Sequence, residues 1–205
     1  MGRARGLLAG ALISAGRLVG LARLMKRFWF RRLLGGPGRV AAWRALGAQI
    51  EDGVRLGAGV WLGRHPRNVT IGAGCKLGGR VTIESAGAAS IGRNTIINDS
   101  DLLTTTHDID HPGFKVRPLS VTIGEYAWLP RKIIVLPGVR IGDYAVIGTG
   151  SVVSADVPDY GVAVGNPATV VKERARIDYR YVPADISRAS NELARRGAGH
   201  ARQGG

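Results

Sequence analysis

Residues 121–153 read VTIGEYAWLPRKIIVLPGVRIGDYAVIGTGSVV, and this stretch decides the fold. An aliphatic residue, often followed by glycine, recurs every six positions, and a smaller or apolar residue stands two positions before it. The aliphatic positions are Ile123, Leu129, Val135, Ile141, Ile147 and Val153. Self-similarity at a fixed period of this kind predicts a repeat architecture.

The same register extends upstream to residue 48, in sets of three hexads separated by insertions. Its earlier aliphatic positions are Ile50, Leu56, Leu62, Ile71, Leu77, Ile83, Ile91, Ile97 and Leu103. Extra residues follow positions 65, 86 and 106, each time after a complete set of three hexads. Three short faces per coil, with insertions leaving from one corner, predict a triangular prism of about five coils.

The inward residues of such a prism stack on the equivalent residues of the next coil, so stability accumulates between neighbouring coils. Hydrophobic residues make up 45% of the chain and aromatic residues only 6%, so we expect an aliphatic core. The single cysteine, Cys75, occupies one of the small inward positions, and we expect it to be buried. One cysteine allows no disulfide within the chain, which is consistent with a reducing compartment.

The formal net charge of +14 is placed unevenly. Residues 1–50 hold ten Lys/Arg and no acidic residue, whereas residues 51–156 hold eleven bases and ten acids. The repeat region therefore lacks the basic surface of a nucleic-acid-binding domain, and we expect no nucleic-acid partner. Residues 3–34 read as basic amphipathic helices, which either contact a membrane surface or cap the first coil.

Three segments follow from these patterns: a basic helical segment at 1–46, the β-helix at 47–174 and a tail at 175–205. The tail is polar, and we expect a short helix at about 185–196 before the glycine-rich end. The uncharged run from Gly6 to Gly16 is too short to span a bilayer.

The run at 121–153, together with Val164-Gly-Asn-Pro-Ala168, resembles the left-handed β-helix acetyltransferases with hexapeptide repeats. The closest likeness is to the maltose-type, sugar and polysaccharide O-acetyltransferases, and it covers about residues 48–174. The resemblance implies a left-handed parallel β-helix, a homotrimer, and acetyl-CoA bound between subunits without a metal. It further implies a cytoplasmic enzyme that acetylates a sugar or polysaccharide, including a lipid-linked one if residues 1–34 contact the inner membrane surface.

The longest insertion, residues 107–120, begins with His107 directly after three threonines. Transfer of an acetyl group to a hydroxyl requires a base, and histidine has the ordinary pKa that suits this task near neutrality. The Thr-Thr-His-Asp context resembles the catalytic position of the family, which implies that His107 is the general base. His111 is the alternative base, and Asp108 and Asp110 either orient an imidazole or solvate the loop.

The remaining site residues are expectations from the resemblance and from chain position. Matching the family residue by residue gives a cofactor-binding set of Arg131, Thr149, Ser154, Ala155, Thr169 and Lys172. Residues on the coils before the loop are candidates for binding sugar hydroxyls: Asn98, Asp99 and Glu84. Two other function classes are open, namely a non-catalytic or carbohydrate-binding scaffold and a zinc enzyme resembling the γ-type carbonic anhydrases. We expect no metal.

Overall fold

The structure is a computed structural model that describes residues 35–183, and over this range the chain forms a short helix followed by a parallel β-helix of triangular section. Each coil contributes strands to three faces, which we name A, B and C in the order in which the chain meets them. The corner between two faces is named by both letters.

The strands are short and fall into one parallel sheet per face. Face A contains β1 (Gln49–Ile50), β3 (Val69–Ile71), β6 (Ala89–Ile91), β11 (Val121–Ile123) and β14 (Arg140–Ile141). Face B contains β2 (Arg55–Leu56), β4 (Lys76–Gly78), β7 (Ile96–Asn98), β12 (Trp128–Leu129), β15 (Val146–Ile147), β17 (Gly161–Gly165) and the antiparallel β18 (Ala168–Glu173). Face C contains β5 (Thr82–Ile83), β8 (Asp101–Leu102), β13 (Ile134–Val135) and β16 (Val152–Val153).

The coils stack in register, so that equivalent inward residues lie above one another. Ile71 pairs with Ile91, and Ile123 pairs with Ile141, on face A. Five complete coils are followed by a partial sixth, in which Val157 bridges to Ile141 and β17 pairs with β15. The predicted solenoid of about five triangular coils is confirmed, with part of a further coil added.

The interior is aliphatic, as the composition predicts. Every predicted inward aliphatic residue of the fourth and fifth coils is buried, from Ile123 to Val153. Cys75 is fully buried as predicted, its thiol donates to the carbonyl of Gly92 at 2.9 Å, and burial raises its pKa to about 12. Trp128 points outward with 45% of its surface exposed, also as predicted.

The register prediction is wrong at one corner. Leu103 was expected inside, but Leu102 is the buried residue and pairs with Val135 and Ile83 in its neighbours. The B–C corner of the third coil is one residue shorter than in the other coils, since Leu102 follows Ile97 by five positions whereas Val135 follows Leu129 by six. Leu102 and Leu103 are adjacent, and either one fits the six-residue period to within one position. The sequence alone therefore did not reveal the shorter corner.

Helix α1 (Gly36–Ala45) covers the first coil. Pro37 stands in its first turn, where the missing N–H costs no hydrogen bond. The helix buries Val40 and Trp43 in the core cluster, and the indole of Trp43 packs edge-on against Trp61, with ring centroids 5.3 Å apart. Residues 36–45 therefore cover the first coil, and the predicted helices at 3–34 and 185–196 lie outside the described residues.

Three tyrosines line the A–B corner of the last coils. Tyr126, Tyr144 and Tyr160 all have positive φ, from 52° to 62°, and their rings stack at 5.4 and 4.6 Å. After β18 the chain returns along this corner. Arg174 donates to the carbonyls of Tyr126 and Tyr144 at 3.2 Å, and Tyr181 donates to the carbonyl of Tyr126.

Candidate active site

The long insertion forms a β-hairpin at the C–A corner of the third coil. Strand β9 (Thr105–His107) pairs antiparallel with β10 (Val116–Pro118), and His107 is opposite Val116. The main chain closes the tip through the N–H of Asp108, which donates to the carbonyl of Lys115 at 2.8 Å. His107 is therefore the last residue of a hairpin strand.

Phe114, in the loop just before β10, fixes the imidazole of His107. The Nδ1 atom lies 2.9 Å from the carbonyl oxygen of Phe114, and the two rings stack with centroids 4.3 Å apart and planes at 15°. A carbonyl only accepts hydrogen bonds, so the neutral imidazole that bonds to it carries its proton on Nδ1. The Nε2 atom then keeps its lone pair, which is the state that a general base requires.

His111 is held in the opposite state. Its Nδ1 accepts a hydrogen bond from the N–H of Gly113 at 2.9 Å, so the neutral ring carries its proton on Nε2. The ring nitrogen with the lone pair is thus already used inside the loop. Two histidines four residues apart therefore differ in which nitrogen is able to accept a proton, and the difference favours His107 as the base.

The carboxylates of Asp108 and Asp110 do not orient the imidazole of His107, which was one of their two predicted roles. The partner of His107 Nδ1 is a main-chain carbonyl, and the main chain of Asp108 accepts from the N–H of His111 at 3.3 Å. Phe114 was missed by sequence reasoning, although a lone aromatic residue within a polar loop was a usable signal. It is 57% exposed and has a φ of 43°, so its position is set by the loop and by His107.

The predicted cofactor residues lie along the edges of the last coils, in three groups. Arg131 and Thr149 share the B–C corner, where the N–H of Gly150 donates to the carbonyl of Arg131. Ser154 and Ala155 lie at the C–A corner, above the hairpin, and Thr169 and Lys172 lie on β18. All six are exposed. Within one subunit the three groups therefore lie on different edges of the prism.

The three predicted acceptor residues separate into two places. Asn98 and Asp99 lie at the B–C corner, a full face away from His107, and Asp99 accepts from the N–H of Arg80 at 2.7 Å and pairs with Arg131 at 3.7 Å. Glu84 instead follows β5, and its Oε2 accepts from the N–H of Thr104 at 3.2 Å. Glu84 is thus the one of the three that lies next to the start of the hairpin.

The ionisable groups with shifted pKa values lie elsewhere. At the A–B corner the guanidinium of Arg93 bonds to Glu125 at 2.5 Å and lowers the pKa of that carboxyl group. The hydrogen bond to Glu125 raises the pKa of Tyr144 to about 12. Within residues 35–183 there is no group of three His, Cys, Asp or Glu side chains able to hold a metal ion. The same range contains no helix long and apolar enough to cross a bilayer.

Comparisons with known proteins agree with this arrangement. The family described as bacterial transferase hexapeptide (six repeats) matches residues 120–155. The putative colanic acid biosynthesis acetyltransferase WcaF of Escherichia coli (strain K12) is 33% identical over 136 residues, which cover 66% of this chain and 74% of that protein.

Two solved structures are also similar. The maltose O-acetyltransferase from Clostridium difficile 630 has a TM-score of 0.67 and 26% identity, covering 82% of this chain and 89% of its own. A galactoside acetyltransferase in complex with coenzyme A has a TM-score of 0.62 and 25% identity, covering 82% and 91%. The predicted left-handed parallel β-helix is confirmed by this likeness, and the chain belongs to the hexapeptide-repeat acetyltransferases.

Proposed function

We propose that this acetyltransferase moves the acetyl group of acetyl-CoA to a hydroxyl group of a sugar or polysaccharide, with His107 as the general base. The observation that carries the proposal is the hydrogen bond from His107 Nδ1–H to the carbonyl of Phe114, since it leaves Nε2 able to take a proton. The similar proteins support this chemistry: one is named a putative colanic acid biosynthesis acetyltransferase, one is named a maltose O-acetyltransferase, and one is a galactoside acetyltransferase in complex with coenzyme A.

In the proposed reaction, Nε2 of His107 removes the proton of the acceptor hydroxyl while its oxygen forms a bond to the thioester carbon. The C–S bond then breaks, and the imidazolium returns the proton to the sulfur of coenzyme A. The sugar gains an ester and the coenzyme leaves as a thiol, so atoms and charge balance without an acyl-enzyme. Base catalysis of this kind contributes on the order of 10²–10⁴ in rate.

The proposed binding site of acetyl-CoA runs along the edges of the last coils. The residues proposed to bind acetyl-CoA are Arg131, Thr149, Ser154, Ala155, Thr169 and Lys172. The residues proposed to bind the acceptor are Glu84, Asn98 and Asp99. Because the cofactor residues occupy separate edges of one subunit, a cleft completed by a neighbouring subunit is the arrangement that brings them together.

The assembly proposed to complete this cleft is a homotrimer, and the outer surface of face B supports an interface. Its outward residues in the third to sixth coils are apolar: Ile96, Trp128, Val146 and Val162. The outward residues of face A are instead polar, among them Thr70, Ser90 and Thr122. Contiguous apolar surface of this kind marks a protein contact. Light scattering at assay concentration tests it, and a fully active monomer would refute the trimer.

The basic segment 1–34 is proposed to hold the enzyme at the inner membrane surface, from the cytoplasmic side, within reach of a lipid-linked acceptor. Ten cations and no acids in residues 1–50 favour anionic lipid.

The catalytic proposal is tested by incubating the purified protein with acetyl-CoA and a panel of sugars that includes maltose and methyl β-galactoside. Release of coenzyme A together with an acetylated sugar in the mass spectrum is expected. Release of coenzyme A without any acetylated sugar would contradict the proposed acceptor class.

A further inference from the structure

A cleft of about 350 Å³ opens on face C between the first two coils and the base of the hairpin. Its walls include Trp61 of the first coil, Thr82 and Glu84 of the second, and Thr105 of β9. Arg64 and His65 also line it. The volume is at the lower end of the ~300–1,000 Å³ range of small-molecule pockets, which suits a single small ring rather than a longer chain.

The cleft lies on the same side of the hairpin as the proposed base. Side chains alternate along a strand, so Thr105 and His107 of β9 point to the same face of the hairpin. At the usual rise per residue their side chains are separated by about 7 Å. Because Thr105 lines the cleft, a ligand seated there extends toward His107 over roughly the width of one sugar ring.

The walls are held by the fold before any ligand enters. Trp61 packs edge-on against the buried Trp43 of α1, and it forms a bridge with Thr82. Glu84 bonds to the N–H of Thr104, three residues before His107. The rim is tied by the N–H of His65, which donates to Ser85 Oγ at 2.8 Å, and by Asn68 Nδ2, which donates to the carbonyl of Ser85 at 2.8 Å.

We propose that Trp61 is the stacking platform for a pyranose ring of the acceptor, and that this cleft selects the sugar unit presented to His107. An indole offers a flat apolar surface to the C–H face of a sugar, while the carboxylate of Glu84 accepts hydrogen bonds from its hydroxyls. This inference rests on the proposed function, because it names where the acceptor of that reaction binds. It makes Trp61 a specificity-determining residue that lies two coils away from the hairpin.

The test blocks the cleft from a residue that faces it. Thr82 and Thr70 are both half-buried, outward-facing threonines of the second coil, on faces C and A respectively. Thr82→Tyr places a ring in the cleft, and Thr70→Tyr is the matched control on another face. Binding is measured on the full-length protein by saturation-transfer NMR, with maltose and with methyl β-galactoside as probes. The same measurement is made in His107→Ala, which lacks the base.

We expect saturation transfer to at least one sugar in the native protein, in His107→Ala and in Thr70→Tyr, and its loss in Thr82→Tyr. Trp61→Leu should raise the acceptor KM about tenfold with the KM for acetyl-CoA unchanged, whereas Trp61→Phe should retain most of the binding. Thermal melting identifies any variant that has unfolded. Equal transfer in Thr82→Tyr and the native protein, or none with either sugar in the native protein, overturns the cleft. Sugar binding without acetyl transfer instead overturns only the proposed function.

Discussion

The coils and the hairpin of the third coil are built by opposite means. Inside the coils, residues such as Leu129 and Ile97 are completely buried and are stacked on identical positions above and below. In the hairpin, apolar residues lie in solvent, with Ile109 78% exposed and Val116 56% exposed. The coils therefore supply the free energy of folding, and the hairpin supplies a positioned imidazole. Substitutions in the two regions should affect different measurements.

The largest expected effect is on turnover, in the hairpin. His107→Ala should lower kcat by about a hundredfold or more, because it removes the proton acceptor, while the melting temperature and the affinity for acetyl-CoA stay nearly unchanged. His111→Ala is the matched control and should lower kcat far less, since its Nδ1 is used by Gly113. Steady-state kinetics decide the matter, and a larger loss in His111→Ala would show that the base has been assigned to the wrong histidine.

A substitution inside a coil should instead lower the free energy of unfolding. Leu129→Ala removes a fully buried side chain that stacks on Ile97, and it should lower the free energy of unfolding by about 2–5 kcal/mol. Val116→Ala, on the exposed hairpin strand, should change it by less than about 0.5 kcal/mol. Denaturant titration followed by circular dichroism measures both. Similar losses in the two variants would mean that the hairpin shares in the stability of the coils.

The thiol of Cys75 gives a second measurement of the closed interior. Burial raises its pKa to about 12, so the folded protein keeps the thiol protonated and inaccessible at pH 8. Iodoacetamide should label it in denaturant and leave it unlabelled in the folded protein. As pH rises from the ordinary thiol pKa toward about 12, the unfolded chain loses this proton first, so the contribution of Cys75 to stability is lost over that window.

A smaller effect on kcat is expected for Phe114, the hairpin residue that stacks on His107. Phe114→Ala should lower kcat about three- to tenfold, because the ring that stacks on His107 is removed while the carbonyl remains. Ile109→Ala is the control, since it removes another exposed apolar side chain from the same loop without touching the imidazole. If the two variants have the same kcat, the stacked ring does not position His107.

The smallest effect concerns residues 1–34, which lie outside both regions. Deleting them should leave the melting temperature unchanged, because helix α1 already covers the first coil through Val40 and Trp43. Binding to vesicles containing anionic lipid should weaken, and raised salt should release the full-length protein, since each cation near such a surface contributes about 1 kcal/mol. Co-sedimentation measures this. Equal binding to neutral and anionic vesicles would exclude the electrostatic contact.

The contrast between the coils and the hairpin also explains which features could be predicted from the sequence. The coils were predictable because each inward position repeats the same physical requirement, so one misplaced leucine at 102–103 left the architecture unchanged. The role of Phe114 was not predictable, since it depends on a turn with positive φ that brings distant atoms together. Asn98 and Asp99 lie close to the hairpin in sequence but at another corner of the same subunit in space, because one face of the prism intervenes.

The return of the chain after the sixth coil has a consequence for self-association. A stack of parallel strands has an open last edge, and an identical molecule is able to continue it into a filament. On face B that edge is occupied by β18, which runs antiparallel, and the tail beyond it is fastened to the fourth and fifth coils by Arg174. A second molecule placed there meets a strand of the opposite direction, so it is unable to continue the parallel ladder of face B.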